Sequence, residues 1–176
     1  MLTRTVCDSE NIYIDGDEEV INLEKLYFED YKVGEVFVSP GRTITETDIV
    51  LFSAFTGDWH ELHTNVEYAA KTPFKERIAH GFLGLVVGSA LIFRLGPHVM
   101  LPRSFIAFYG MDYVRFTNPI KIGDTIHCEV TIKDMAEKDA KRGIIEHENV
   151  IKNHNGDQMI IYGTKIIVGR KPEKDS

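Results

Sequence analysis

Between Phe55 and His63 the chain reads Phe-Thr-Gly-Asp-Trp-His-Glu-Leu-His, a run that offers both carboxylates and imidazoles for proton exchange. Asp58 and His63 stand five positions apart, just after Gly57. That spacing does not share one face of a regular helix, but it can converge across a tight turn. A carboxylate and an imidazole brought together there could hold one water between two groups able to exchange protons. The spacing also leaves a plainer reading open, with Asp58 closing a turn or capping a helix that starts near Val66 and His63 a half-buried polar residue. A metal is the third possibility, since Asp58, His60 and His63 offer a carboxylate and a His-x-x-His pair. Such a pair normally lies on a helix, whereas here it falls between two helix stops with no fourth ligand evident, so no metal is expected.

The flanking residues say how this stretch is held. Thr45-Glu46-Thr47-Asp48 has the spacing of a capped helix start, followed by Ile49, Phe52 and Phe55 on one face and by Gly57 as the stop. A second short helix is predicted over residues 66–71, with Asn65 as cap and Pro73 as terminator. Residues 81–96 are apolar nearly all the way round and end in Gly96-Pro97. A helix hydrophobic on every side belongs at the centre of a fold, and its glycines let a sheet pack closely on it. The period then switches: residues 105–109, 111–116, 125–134, 143–153 and 159–168 alternate or are β-branched, with Asn155-Gly156 the strongest hairpin signal. An earlier strand is read at residues 36–38, and residues 12–14 form a weak alternating patch before a turn signal at Asp15-Gly16-Asp17. Helices early and strands late give an α+β domain, an antiparallel sheet curled about one buried helix.

At 176 residues the chain is of one-domain length, and no internal repeat suggests otherwise. A net charge of −7 argues against a surface built to neutralise nucleic-acid phosphates. Two cysteines, Cys7 and Cys128, make no disulfide framework or metal knuckle and favour a reducing compartment. The N-terminal residues show no signal-peptide run. The longest apolar stretch, residues 82–95, is interrupted by Gly84, Gly88 and Ser89 and falls short of a membrane span. A cytoplasmic protein with no membrane or nucleic-acid partner is the expectation.

Gly57, Asp58, Leu62, His63 and Ala69, with Ala79-His80-Gly81-Phe82 downstream, resemble the motif of the R-specific enoyl-CoA hydratases, the MaoC-like dehydratase group of the hot-dog fold. The resemblance covers residues 27–168, including the Val33-Gly34-Glu35 and Ile122-Gly123-Asp124 turns. It departs at His60, where the family usually has Asn, and at Glu61, where it has Pro. The domain it implies is a single hot-dog over residues 26–169, with an extension at 1–25 and a charged tail at 170–176.

The resemblance further implies reversible hydration of a trans-2-enoyl-CoA to an (R)-3-hydroxyacyl-CoA, within fatty acid metabolism. The coenzyme A thioester is then the substrate, and no cofactor is needed. Asp58 and His63 hold and activate water, and the neighbouring carboxylate is expected to favour the charged imidazole. Negative charge builds on the thioester oxygen, and the backbone N–H of Gly81, opening the central helix, suits it as a donor. His60, His80 and Phe82 are candidate substrate contacts, and Lys71 and Arg77 candidate parts of a basic rim for the coenzyme phosphates; for each, packing or an ordinary solvated face is the competing reading. A homodimer or larger homo-oligomer is implied. A hot-dog thioesterase and a non-catalytic acyl-CoA-binding subunit are the alternatives; the first commonly places a carboxylate on the central helix, and residues 82–95 contain none.

Overall fold

A computed structural model describes residues 6–7, 12–13, 27–94 and 101–172. Strands β1 (Val6–Cys7) and β2 (Ile12–Tyr13) pair antiparallel with each other. The Asp15-Gly16-Asp17 turn, the Gly96-Pro97 helix stop and the end of the charged tail lie outside the described residues.

The main sheet contains β3 (Val36–Val38), β4 (Arg42–Thr43), β5 (Phe105–Phe116), β6 (Thr125–Glu137), β7 (Arg142–Asn153) and β8 (Gln158–Gly169). Its order is β3-β6-β7-β8-β5, all antiparallel, with β4 also pairing β6. The two runs read at 105–109 and 111–116 are one strand, kept continuous through Gly110 by register shifts. Asn155-Gly156 turns β7 into β8, with Gly156 in the left-handed conformation.

Four α-helices precede β5 among the described residues. Helix α1 (Glu46–Thr56) begins with Thr45 and Asp48 in a reciprocal capping box and ends at Gly57 with φ 79°. Its buried residues are Ile49 and Ser53, while Phe55, read as part of the apolar face, is 89% exposed. A short helix not anticipated from sequence, α2 (Glu61–Thr64), follows. Helix α3 (Val66–Ala69) starts from Asn65, whose side chain accepts from the Tyr68 amide.

Helix α4 (Gly81–Leu91), extended by a 3₁₀ turn at Ile92–Arg94, packs on β6 and β7 through Leu83, Leu85 and Leu91. A methyl group at Gly88 would sit 2.3 Å from Ile151 Cδ1 of β7, and one at Gly84 2.4 Å from Ile120 Cδ1 in the β5–β6 loop and 3.2 Å from Ile160 Cδ1 of β8, so those glycines set how closely the helix approaches the sheet and that loop. The hot-dog arrangement, a sheet wrapped on a central helix, is therefore present. Yet α4 is not covered all round: Phe82 and Val86 are exposed, as are Ile106, Phe108 and Met111 of the edge strand β5. Phe82 meets Phe116, and Phe93 meets Phe108, edge to face, which joins helix and strand into one apolar surface. At the chain's far end Arg170 bonds Glu29 and Glu137, and Lys171 pairs with Asp30.

Candidate active site

The turn after α1 is organised by its own side chains. Gly57 caps the helix through its amide to Ser53 O at 2.8 Å, and the chain then folds back so that Asp58 Oδ1 accepts from the His60 amide at 3.2 Å. His60 is the N-cap of α2, its Nδ1 accepting from the Leu62 amide at 3.1 Å. His60 therefore shapes the loop, which accounts for a polar residue at this position, and its ring also meets His63 edge to face with centroids 6.2 Å apart. Because α2 exists, His60 and His63 lie at the cap and third residue of a helical turn, not between two helix stops.

His63 points the other way. Its Nδ1–H donates to the Ile78 carbonyl at 2.8 Å, and since that oxygen can only accept, the second nitrogen, Nε2, is left with a free lone pair. Burial holds the imidazole below the ordinary histidine value, outweighing the Ile78 bond and the Asp58 charge, which act the other way. The carboxylate does favour the charged ring, as expected, but desolvation is the larger effect at this half-buried position and the net shift is downward.

Asp58, His63 and His80 each bring one polar atom within 4.8 Å of the other two. Two hydrogen bonds of about 2.8 Å meeting at one oxygen span roughly 4.6 Å, so the separation suits a shared water. It suits a metal less well. The His63 and His80 rings are stacked, with centroids 3.8 Å apart and 30° between planes, so their in-plane lone pairs run side by side instead of meeting at one ion.

A cavity of about 270 Å³ opens against His63, lined by Phe74, Ile78, Gly81, Phe116, Ile120 and Ile160 among others. Asp58 is exposed and does not itself line this cavity. Gly81 is the first residue of α4, and the N-cap residue His80 leaves its helix without a side-chain cap, so the opening amides of α4 are not capped from there. A methyl group at Gly81 would meet the Phe116 ring at 2.9 Å, which explains a glycine at this wall. Lys75, the one non-glycine residue with positive φ (65°) among the described residues, forms the turn beside Phe74.

The other sequence candidates fall elsewhere. Phe82 packs edge to face on Phe116 but is 65% exposed and outside the cavity wall. Arg77 is held in a two-pronged pair with Glu46 at 2.7 and 2.6 Å, and neither it nor Lys71 lines the cavity. Three participants were not legible beforehand. Ser53 bonds His80, Phe74 supplies a wall, and the Ile78 carbonyl orients His63. Only Ser53 left a trace in the sequence, as a polar residue one turn after Ile49 on a buried stripe.

Residues 30–154 match the family model described as MaoC like domain. The chain is 41% identical over 106 residues to the "(R)-specific enoyl-CoA hydratase" of Rhodospirillum rubrum, covering 60% of this chain and 69% of that protein. It is 30% identical over 154 residues to the "3-hydroxybutyryl-CoA dehydratase" of Methylorubrum extorquens, covering 87% and 90%. Against "Protein MaoC" of Klebsiella aerogenes it is 37% identical over 117 residues, 66% of this chain, but spans only 33% of that longer relative. Among solved structures, the "Monoamine oxidase regulatory protein" of Archaeoglobus fulgidus superposes with a TM-score of 0.79 at 34% identity, covering 85% of this chain and 97% of that one.

Proposed function

The chain belongs to the MaoC-like dehydratase family of the hot-dog fold, and from that premise we propose that it adds water reversibly to a trans-2-enoyl-CoA, giving an (R)-3-hydroxyacyl-CoA. The observation that carries this reading is the approach of the Asp58 carboxylate to the His63 ring across the Gly57 turn, next to an apolar cavity. His63, neutral at rest, accepts a proton at Nε2 from a water that Asp58 orients, as hydroxide adds to C3 of the enoyl group. The resulting imidazolium returns that proton to C2, so the elements of one water are added and no cofactor is consumed. Charge that builds on the thioester oxygen is met by the Gly81 N–H at the positive end of α4. The acyl group lies against Phe74, Phe116 and Ile120.

A homodimer is part of the proposal. The apolar surface shared by α4 and the unpaired edge of β5 is what a second copy would cover. A cytoplasmic setting is also proposed, from the sparse cysteine usage; no helix among the described residues is long and apolar enough to cross a membrane. Incubation with crotonyl-CoA tests the reaction directly. Loss of enoyl thioester absorbance without release of free thiol is expected. Thiol release without hydration would replace the hydratase by a thioesterase.

A further inference from the structure

Of the four α-helices among the described residues, three have an N-cap whose side chain bonds its own helix, Thr45, His60 and Asn65, and the fourth, capped by His80, does not. Its side chain instead turns back into the protein, where it is 3% exposed. Nε2 lies 3.1 Å from the Asp58 carbonyl oxygen and 3.3 Å from Ser53 Oγ. A carbonyl can only accept, so Nε2 carries the proton and donates to Asp58 O. Nδ1 is then the bare nitrogen, and it is buried with no partner among the described residues.

A buried acceptor without a partner disfavours the fold unless the ring is needed there for another reason. Two such reasons are visible. The ring face stacks on His63 at 3.8 Å, with Phe52 at 5.0 Å also against it, so the His63 ring is held by a flat neighbour as well as by its bond to Ile78. The Nε2 bond ties the Asp58 backbone to a residue 22 positions on, fixing an otherwise exposed turn. As N-cap, His80 also sets the direction of the Gly81 amide.

We infer that His80, which borders the cavity, is a positioning residue whose buried imidazole holds Asp58, His63 and Gly81 in one constellation. The inference rests on the proposed hydration and adds to it the device that keeps the pair in register. A misplacement of about 1 Å in such a pair lowers rates on the order of a hundredfold.

The test pairs His80→Phe, which keeps a flat ring and loses the tether, with His80→Gln, which can restore a donor toward Asp58 O. On crotonyl-CoA, His80→Phe is expected to lose about a hundredfold in kcat with KM changed less than about threefold, and His80→Gln to recover about tenfold of that loss. Full kcat in folded His80→Phe, an effect confined to KM, or no recovery with Gln would each overturn the inference. Should His80→Phe not fold, ¹⁵N-histidine NMR of the unmodified protein decides: a protonated Nε2 supports the tether, and a bare Nε2 overturns it. If the unmodified protein does not hydrate crotonyl-CoA, it is the proposed function that falls, and the same NMR measurement still decides the role of His80.

Discussion

His147 gives the sharpest physical prediction in the molecule. It sits on β7 facing the core, 2% exposed, with neither ring nitrogen bonded to any described residue. Burial pushes its pKa from 6.5 down to about 4. The group's folded value is depressed, so between those two values the unfolded chain takes up a proton that the folded chain refuses, and acid favours unfolding. A difference of some two and a half units corresponds to roughly 3 kcal/mol, a large part of the roughly 5–15 kcal/mol that holds a domain together. The contribution is complete near neutral pH and is lost as pH falls from 6.5 towards 4. Replacing His147 by Leu removes the titration and breaks no hydrogen bond, so stability at pH 7 should change by less than about 1 kcal/mol or rise. Urea unfolding at pH 7.5 and at pH 4.5 measures both quantities. The unmodified protein should lose roughly 2–3 kcal/mol more than His147→Leu between the two conditions. An equally steep loss in the variant would refute the assignment of that acid sensitivity to His147.

Three predictions concern function. Asp58→Asn and His63→Ala should each slow crotonyl-CoA hydration at least about a hundredfold with the circular dichroism spectrum unchanged; retained turnover in either would remove the pair from the chemistry. Because burial holds His63 below its ordinary value and the neutral ring is the acceptor, kcat/KM should rise with pH through a midpoint below 6.5 and level off by about pH 7. A midpoint above 6.5 would mean that the Asp58 charge dominates after all. Ile106→Lys combined with Phe108→Lys on the exposed edge of β5 should turn a dimer into a monomer in sedimentation, and an unmodified protein already monomeric at micromolar concentration contradicts the dimer.

What could be read in advance was whatever depends on neighbours in sequence. The capping box of Thr45 with Asp48 and the left-handed Gly57 are satisfied within one turn, so residue types suffice to place α1 and its end. Alternation in β6 and β7 and the Asn155-Gly156 hairpin follow in the same way, because a strand's period and a tight turn's dihedrals are local properties. The short α2 escaped notice because its cap is a histidine, a residue with two ring nitrogens whose use depends on what surrounds it.

The residue types of the Asp58–His63 pair were likewise plain in the sequence, and their spacing already pointed to a turn. Only tertiary structure decided which nitrogen of His63 is free, since the Ile78 carbonyl that fixes it lies 15 positions on, and which way its pKa moves, since burial by distant segments outweighs a carboxylate nearby in the chain. It likewise showed that His80, a candidate substrate contact that borders the cavity, is bonded to Ser53 and Asp58, 27 and 22 positions away. Hydrogen-bond partners and desolvation come from packing between remote parts of the chain, and no spacing along the sequence encodes them.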